Sequence, residues 1–250
     1  MLHRSGPLGE ARIAVSDRWG GVSTEPYAEL NLAEHVADDR LRVTENRRRL
    51  ASALGLAPGS VAFMTQVHGR EVAVVDGPPS PRGIGLRPVP QADALVTCGH
   101  GVALAVLVAD CVPVLLAGRS EAGPVLAAAH AGRRGVVLGV VAATVEAMAG
   151  LGARPGSMSA MVGPAVCAEC YEVPAAMADE VAAAVPSARA TSRTGTPALD
   201  LPAAVTTQLR DAGVADVVVD PTCTAEDRSL YSHRRDAVTG RFAGVVWTAG

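Results

Sequence analysis

The apolar residues of this chain recur with two different spacings, which predict strands and helices in alternation. Short apolar runs rich in β-branched residues predict strands over residues 12–17, 61–67, 71–75, 92–97, 102–108, 112–116, 125–129, 159–162, 217–220 and 242–248. Helical periodicity predicts helices over 38–54, 135–149, 174–184 and 201–212. Asp200 is a suitable N-cap for the last of these, with Pro202 in its first turn. The intermixed order, without a repeat, predicts a single mixed α/β domain over residues 1–250, with more than one sheet segment.

Two segments interrupt this pattern. Residues 77–90 are rich in proline and glycine and predict a mobile loop within the domain. The strongest apolar stretch, 101–117, contains Asp110 and Pro113 and is too short and too interrupted to span a bilayer. We therefore predict two buried strands that meet at a bend at Asp110-Cys111. The first residues lack an uninterrupted apolar segment, so we predict no signal peptide.

Composition narrows the class of protein. The chain has 250 residues, of which 49% are hydrophobic, enough to bury a substantial core. All 22 basic residues are arginine, which excludes a Schiff-base lysine, a P-loop lysine and a Ser-Lys dyad. A net charge of −3 with 3% aromatic residues argues against a nucleic-acid-binding surface. The five cysteines are odd in number and show no disulfide framework, so we expect a reducing cytoplasm.

Three metal-capable side chains, those of His68, Cys111 and His130, lie at or near the ends of predicted strands. Two imidazoles and one thiolate suit a tetrahedral zinc whose fourth position stays open for water or substrate. Cu²⁺ is a second candidate, because it exceeds zinc in raw affinity for such ligands. The spacing matches neither a zinc finger nor an HExxH helix, so structural histidines and a core cysteine remain alternatives.

Short motifs along nearly the whole chain, taken in order, resemble the YfiH/YlmD family. This family is also called the laccase-domain or multicopper polyphenol oxidoreductase family, and its members have been reassigned as purine nucleoside phosphorylases. The motifs that carry the resemblance are Gly20-Gly21-Val22-Ser23, Pro26-Tyr27, Leu30-Asn31-Leu32, Asn46-Arg47, Thr65-Gln66-Val67-His68-Gly69, Ala92-Asp93-Ala94, Ala109-Asp110-Cys111, His130-Ala131-Gly132, Gly163-Pro164, Cys170-Tyr171-Glu172-Val173, Cys223-Thr224 and Ser232-His233-Arg234-Arg235-Asp236.

The resemblance implies a mixed α/β sandwich of the type shared with a bacterial toxin catalytic domain. It implies zinc held by the residues that match His68, Cys111 and His130. It also implies phosphorolysis of adenosine, inosine, guanosine and 5′-methylthioadenosine, with some adenosine deaminase activity. The expected partners are a nucleoside and phosphate, with no nucleic acid and no membrane, and either a monomer or a small homo-oligomer. The chain departs from the family pattern at Arg133, where the family usually has Trp, and at His233, where it usually has Tyr.

Phosphate binding calls for arginine, because its planar fork matches phosphate oxygens. Our candidates are Arg47, Arg133, Arg234 and Arg235. The expected catalytic residues are His68, Cys111, His130 and Asp110. Asp110 would orient a ligand histidine or act as a base, and Asp93 has a similar status. Cys111 has a second interpretation, as a nucleophile activated by the two histidines.

Cys167 and Cys170 form a C-x-x-C motif, which is typical of a redox pair or of half a zinc knuckle. Because the chain has no second C-x-x-C, we interpret it as a loop at the rim of the site, and Cys98 and Cys223 as structural. Two further functions remain open, a copper-dependent polyphenol oxidase and a Cys-dependent amide hydrolase acting on a cell-wall precursor. Six histidines without a His-x-His pair are few for a multicopper enzyme.

Overall fold

The computed structural model describes residues 1–57, 59–77 and 90–248. The strands are β1 (Leu2–Leu8), β2 (Ala11–Ser16), β3 (Val61–Ala62), β4 (Val72–Val74), β5 (Ala94–Thr97), β6 (Ala103–Val108), β7 (Val112–Ser120), β8 (Gly123–Ala131), β9 (Ser159–Val162), β10 (Arg189–Thr191), β11 (Pro197–Leu199), β12 (Asp216–Val219) and β13 (Phe242–Thr248). The α-helices are α1 (Arg40–Ala53), α2 (Arg133–Leu138), α3 (Val140–Gly150), α4 (Ala175–Ala184), α5 (Leu201–Asp211) and α6 (His233–Asp236). Most of the predicted loop, residues 78–89, lies outside the described residues.

The strands form two large mixed sheets and one small one. The first sheet has the order β1-β2-β13-β6-β3, and the second has the order β12-β9-β7-β8-β5-β4. Most neighbouring strands are antiparallel, while β3/β6, β4/β5 and β9/β12 are parallel pairs. Strands β10 and β11 pair separately. The mixed α/β class predicted from the sequence is confirmed.

Three buried clusters define the layers of the molecule. The middle cluster contains side chains from both large sheets, such as Leu104 of β6 and Leu115 of β7, and is the core between them. A second cluster packs the other face of the six-stranded sheet against helices, with Leu116 and Met148 among its members. The third includes Leu50 of α1, which covers the five-stranded sheet. Because the central strands are buried on both faces, their sequences are continuous apolar runs.

All ten predicted strands overlap an observed strand, and the bend between β6 and β7 is confirmed at Asp110. The prediction of a strand over 61–67 is wrong beyond Ala62. There the side chain of Gln66, and not a paired strand, forms the hydrogen bonds to the backbone of Leu107. Its amide nitrogen donates to the carbonyl of Leu107 at 2.7 Å, and its oxygen accepts from the N–H of Leu107 at 2.9 Å. His68 therefore follows an irregular segment, which a run of apolar residues cannot reveal.

The prediction of one helix over 135–149 is also wrong, because two helices, α2 and α3, occupy this stretch. Gly139 separates them in a left-handed conformation with a φ of 83°, and caps both. Strands β1, β10 and β11 and the short helix α6 were not predicted. In the described part of the chain, no helix combines the length and the apolar composition needed to cross a bilayer.

Candidate metal centre and its pocket

His68, Cys111 and His130 come together from three separate segments of the chain. One nitrogen from each imidazole and the Cys111 sulfur lie within 4.8 Å of one another. The distance from Cys111 Sγ to His68 Nε2 is 3.8 Å, and the two imidazole rings meet edge to face with centroids 4.7 Å apart. These are nitrogen and sulfur donors of the kind that zinc prefers. The donor set therefore fits a zinc ion, with three protein ligands and one further position.

The backbone places each of the three side chains differently. His130 lies in β8 opposite Pro113 of β7 and is buried. Cys111 follows the bend at Asp110, whose φ of 92° is uncommon for a residue with a side chain. His68 has a φ of 58° and is exposed. Such conformations cluster at functional sites, and here they turn Cys111 and His68 toward His130.

The carboxylate of Asp93 connects His130 to the backbone of the segment that carries His68. This carboxylate is fully buried and accepts from His130 Nδ1 at 2.8 Å. It also accepts the backbone N–H groups of His68 at 2.9 Å and Gly69 at 2.6 Å. Burial alone would raise the pKa of Asp93, but the hydrogen bonds from His130 and from the backbone N–H groups of Gly69 and Val67 lower it. With Nδ1 occupied by the carboxylate, His130 presents Nε2 toward Cys111, as a metal ligand should.

Gly132 leaves space that the three ligands fill. A Cβ atom at this position would lie 2.7 Å from Cδ2 of His68 and 3.1 Å from Sγ of Cys111. Any side chain at 132 would therefore push ligands out of place. The glycine that follows His130-Ala131 in the family-like motif has this steric reason.

Charge at the site favours a thiolate beside a charged imidazole. Burial raises the pKa of Cys111, but the charge of His130 and hydrogen bonds from both histidines outweigh it and lower that pKa to about 6. Burial lowers the pKa of His130, but Cys111 and Asp93 raise it to about 9. A deprotonated sulfur is both the form that binds metals and the form that attacks electrophiles.

Two of the three candidate ligands, His68 and Cys111, line a cavity of about 750 Å³, within the usual range for a small-molecule site, and His130 is buried behind them. Three arginines line it, two of which (Arg133 and Arg134) begin helix α2, while Arg234 belongs to α6. The guanidinium of Arg234 lies 5.2 Å from the ring centroid of Tyr171, another lining residue. The remaining lining residues are Val67, His68, Ala109, Asp110, Cys111, Val166, Leu201 and His233.

Arg47 and Arg235 are not among the described residues that line this cavity. Arg47 donates to the carbonyl of Leu32 and to Glu34, both at 2.9 Å, and its guanidinium lies 4.0 Å from the ring centroid of Phe63. Arg235 donates to backbone carbonyls, including that of Leu230 at 2.8 Å, and to the neighbouring carboxylate of Asp236. Protein groups therefore already engage both guanidiniums, and the structure brings neither of them to this cavity.

Asp110 lines the cavity, but its carboxylate is engaged by the protein. It accepts from the hydroxyls of Thr224 at 2.6 Å and Ser232 at 2.7 Å, and from the backbone N–H of Arg234 at 2.6 Å. These bonds tie the bend before Cys111 to the start of α6. The contacts give Asp110 a positioning role for Cys111 and Arg234.

Two polar residues that line the cavity, Arg134 and Tyr171, were not predicted from the sequence. Arg134 follows Arg133 and gave no signal of its own, because only the start of α2 brings both to the cavity. Tyr171 stands in the motif Cys170-Tyr171-Glu172-Val173, which marked it as part of a family-like segment without indicating a role.

Comparisons with known proteins agree on one family. The profile of the family described as multi-copper polyphenol oxidoreductase laccase matches residues 12–249. Purine nucleoside phosphorylase ORF3 of Streptomyces griseus is 52% identical, covering 99% of this chain and 98% of the relative. Purine nucleoside phosphorylase SCO2081 of Streptomyces coelicolor is 53% identical over 99% of both chains.

Solved structures share the fold. YlmD from Geobacillus stearothermophilus superimposes with a TM-score of 0.85 at 33% identity, covering 98% of this chain and 94% of that one. Neisseria meningitidis protein NMB0706 gives a TM-score of 0.83 at 34% identity over 99% of both chains. The mixed sheets and their order are therefore those of a known architecture.

Proposed function

The chain belongs to the multi-copper polyphenol oxidoreductase laccase family, and from this premise we propose that it is a zinc-dependent purine nucleoside phosphorylase. Its proposed substrates are phosphate and adenosine, inosine, guanosine or 5′-methylthioadenosine. Relatives more than 50% identical carry the name purine nucleoside phosphorylase. The observation that supports the proposal is a group of three metal-capable side chains, two of which line a cavity together with three arginines.

In this proposal His68, Cys111 and His130 hold the zinc, and Asp93 orients His130. The ion would supply Lewis acidity at the floor of the cavity. Cu²⁺ can occupy the same donors, since copper binds imidazole and thiolate more tightly than zinc does. The exposed edge of His68 and the half-buried Cys111 give the centre access to the cavity.

Arg133, Arg134 and Arg234 are the proposed phosphate-binding residues. Guanidinium groups bind phosphate oxygens in a bidentate manner and hold the anion against the sugar. In the reaction, a phosphate oxygen forms a bond to C1′ of the ribose while the bond from C1′ to N9 breaks. The purine leaves with the electron pair of that bond and gains a proton, and ribose 1-phosphate is the second product.

A deaminase side activity is part of the proposal. Water would add at C6 of adenosine and ammonia would leave, so that inosine forms in the same cavity. Asp110 serves both reactions by positioning Cys111 and Arg234 through its three hydrogen bonds.

One observation favours a second candidate, a Cys-dependent amide hydrolase. Without a metal, the lowered pKa of Cys111 and the raised pKa of His130 describe a thiolate–imidazolium pair. A hydrolase of this kind would keep its activity in a chelator and lose it on thiol alkylation. A copper oxidase would instead consume oxygen with a phenol.

The test combines metal analysis with turnover of inosine and phosphate, followed by chromatography of the products. We expect hypoxanthine and ribose 1-phosphate, loss of activity in chelator and recovery with zinc. We expect His68→Ala to lower the zinc content by about one ion per chain and to abolish turnover, with an unchanged circular dichroism spectrum. His100→Ala, at an exposed turn, is the matched control. Zinc retained in full by His68→Ala would refute the ligand assignment, and zinc without nucleoside cleavage would favour the hydrolase.

A further inference from the structure

A second group of metal-capable side chains lies away from the three ligands described above. It consists of Cys167, Cys170, Cys223 and Glu226, and one donor atom from each lies within 4.8 Å of all the others. Cys223 is buried, Cys167 and Cys170 are half-buried, and Glu226 is exposed. None of the three cysteines forms a disulfide. The phosphorolysis proposed above uses none of these side chains.

The four residues lie on two turns of the same kind. In the first turn the N–H of Cys170 donates to the carbonyl of Cys167 at 3.0 Å, and in the second the N–H of Glu226 donates to the carbonyl of Cys223 at 3.1 Å. In each turn the N–H of the next residue also donates to that same carbonyl. Each turn therefore presents its first and fourth side chains together. The sequence contains C-x-x-C and, 53 residues after its last cysteine, the first residue of C-x-x-E.

Backbone contacts hold the two turns against each other. Ala165 and Cys223 form a parallel bridge, and the N–H of Thr224 donates to the carbonyl of Ala165 at 3.0 Å. The N–H of Cys167 donates to Sγ of Cys223 at 3.3 Å. A backbone N–H aimed at a cysteine sulfur stabilises that sulfur as a thiolate. The two turns are thus joined before any ion binds.

We propose that Cys167, Cys170, Cys223 and Glu226 form a second, structural zinc site with four protein ligands. A tetrahedral site with Zn–S bonds of about 2.3 Å spaces its ligand atoms about 3.8 Å apart, close to the grouping observed. Thiolates and a carboxylate oxygen are all zinc ligands, and four of them close the coordination shell. The site is therefore of the kind that stabilises a fold and leaves no position for a substrate.

Charge supports the assignment. Three thiolates and a carboxylate exceed the charge of one Zn²⁺, so the occupied site is negative. Arg193 offsets part of this charge, because its guanidinium contacts Glu226 and also donates to Glu169 at 3.0 Å. The carboxylate of Glu226 has two oxygens, so it can keep Arg193 on one and bind zinc with the other.

Two residues that directly follow ligands of the second site in the sequence contribute to the first cavity. Tyr171, which lines the cavity, directly follows Cys170. Thr224, whose hydroxyl supports Asp110 beside Cys111, directly follows Cys223. Zinc at the two turns would therefore stabilise one wall of the cavity and the anchor of the bend at Cys111. The zinc content of this site can be measured without the nucleoside reaction.

The experiment measures zinc per chain in the purified full-length protein, together with the absorption of the cobalt-substituted form. We expect two zinc ions in the unchanged protein, one in Cys170→Ser and one in His68→Ala. In the cobalt form, Cys170→Ser should remove most of the sulfur-to-cobalt charge-transfer band, since three of the four ligand thiolates belong to the second site. Zinc content unchanged by Cys170→Ser would overturn the proposal, as would a Cys167–Cys170 disulfide in protein prepared with zinc.

A second pair of variants covers the case in which Cys170→Ser does not fold. Glu226→Gln removes the fourth ligand at an exposed position, and Glu169→Gln removes the other partner of Arg193 without touching a ligand. Changes outside the ligand set already weaken metal sites by 10- to 100-fold in other proteins, so we expect Glu226→Gln to lower zinc affinity at least about tenfold in a chelator competition. Glu169→Gln should leave it within about twofold. Equal affinities in the two variants would refute the role of Glu226.

Discussion

The two groups of metal-capable side chains differ in how the chain builds them. His68, Cys111 and His130 come from three segments far apart in sequence, and a buried carboxylate, Asp93, holds two of those segments together. The Cys167 group comes from two short turns of matching hydrogen bonding. The first group has three candidate ligands, two of which line a cavity of about 750 Å³ together with three arginines. The second group has four candidate ligands, three of which line a separate cavity of about 370 Å³. Ligand number and surroundings, rather than residue type, separate a candidate catalytic centre from a candidate structural one.

The two groups also differ in the interactions that hold their side chains in place. Asp93 orients His130 through a side-chain hydrogen bond, so the first site depends on a single buried group. The turns of the second site are prepared by backbone hydrogen bonds, which no single side-chain change removes. Changes aimed at one group should therefore leave the other intact.

The largest effect is expected from Asp93→Ala. The change removes a buried acceptor and leaves His130 and several backbone N–H groups without a partner. Breaking a buried pair in this way costs about 3–5 kcal/mol, which urea denaturation would show as a lower free energy of unfolding. One zinc per chain should be lost while the Cys167 group keeps its own. Asp93→Asn, which preserves the volume of the side chain, is the control. If the free energy of unfolding of Asp93→Ala lay within about 1 kcal/mol of that of the unchanged protein, the role of Asp93 would be contradicted.

A contrast in thiol reactivity should follow in protein stripped of metal. The pKa of Cys111 is lowered to about 6, whereas burial and the neighbouring thiols raise the pKa of Cys170 to about 12. At pH 7 Cys111 is therefore mostly thiolate and Cys170 is mostly neutral. Allowing for the weaker nucleophilicity of an acidic thiol, we expect iodoacetamide to modify Cys111 about 100-fold faster than Cys170.

Peptide mass spectrometry over a pH series would measure both rates, with exposed Cys98 as the reference. Modification of Cys111 should slow as the pH falls below about 6, because its thiolate is then protonated. Zinc added beforehand should protect Cys111. Similar modification rates at Cys111 and Cys170 would contradict the expected difference in thiol pKa between the two groups.

Gly132→Ala should damage the first site alone. The added Cβ would lie too close to His68 and Cys111, so at least one ligand must move. We expect zinc affinity at this site to fall at least about tenfold and the free energy of unfolding to fall by about 1–3 kcal/mol. Gly150→Ala, where a Cβ meets nothing within 4 Å, controls for the loss of a glycine. Full zinc affinity in Gly132→Ala would show that the ligands do not need this space.

The smallest effect concerns the choice of purine. Arg133→Trp introduces the residue that the family resemblance leads us to expect at this position and adds a ring that can stack on a base. Aromatic stacking contributes about 0.5–1.5 kcal/mol, so the ratio of kcat/KM between purines should change by a few-fold. Arg134→Ala is the comparison variant and should raise the KM for phosphate about equally for every purine. Equal changes across all purines in Arg133→Trp would argue against a base-contacting position.

Local pattern sufficed for most of the fold. Runs such as 102–108 and 159–162 gave strands within one residue of their observed ends, because buried β-branched residues favour extended backbone. The prediction from the apolar pattern failed where a single contact or residue conformation overrides that pattern. Gln66 bonds to the backbone of Leu107 and ends the strand that apolar residues predict, and Gly139 splits a helix whose faces are apolar all round.

In the candidate site, too, the sequence identified some residues and missed the placement of others. His68, Cys111 and His130 could be chosen from the sequence because few residue types bind metals, and the structure brings them together. Arg47 and Arg235 were equally plausible as phosphate ligands, yet their guanidiniums bond to protein groups and do not line the cavity. The pairing of C-x-x-C with C-x-x-E was not visible, because only the contact between the two turns makes a glutamate the counterpart of a cysteine.

The sequence by itself therefore determined the mixed α/β class, the buried strands, the family resemblance and the three side chains that can bind a metal. These depend on residue type and on spacing within a few residues. The tertiary structure alone decided which arginines face the cavity, that Asp93 orients His130 while Asp110 anchors a bend, and that four residues from two turns form a second group. Each of these is a contact between segments distant in sequence, and such contacts are set by how the two sheets and their helices pack.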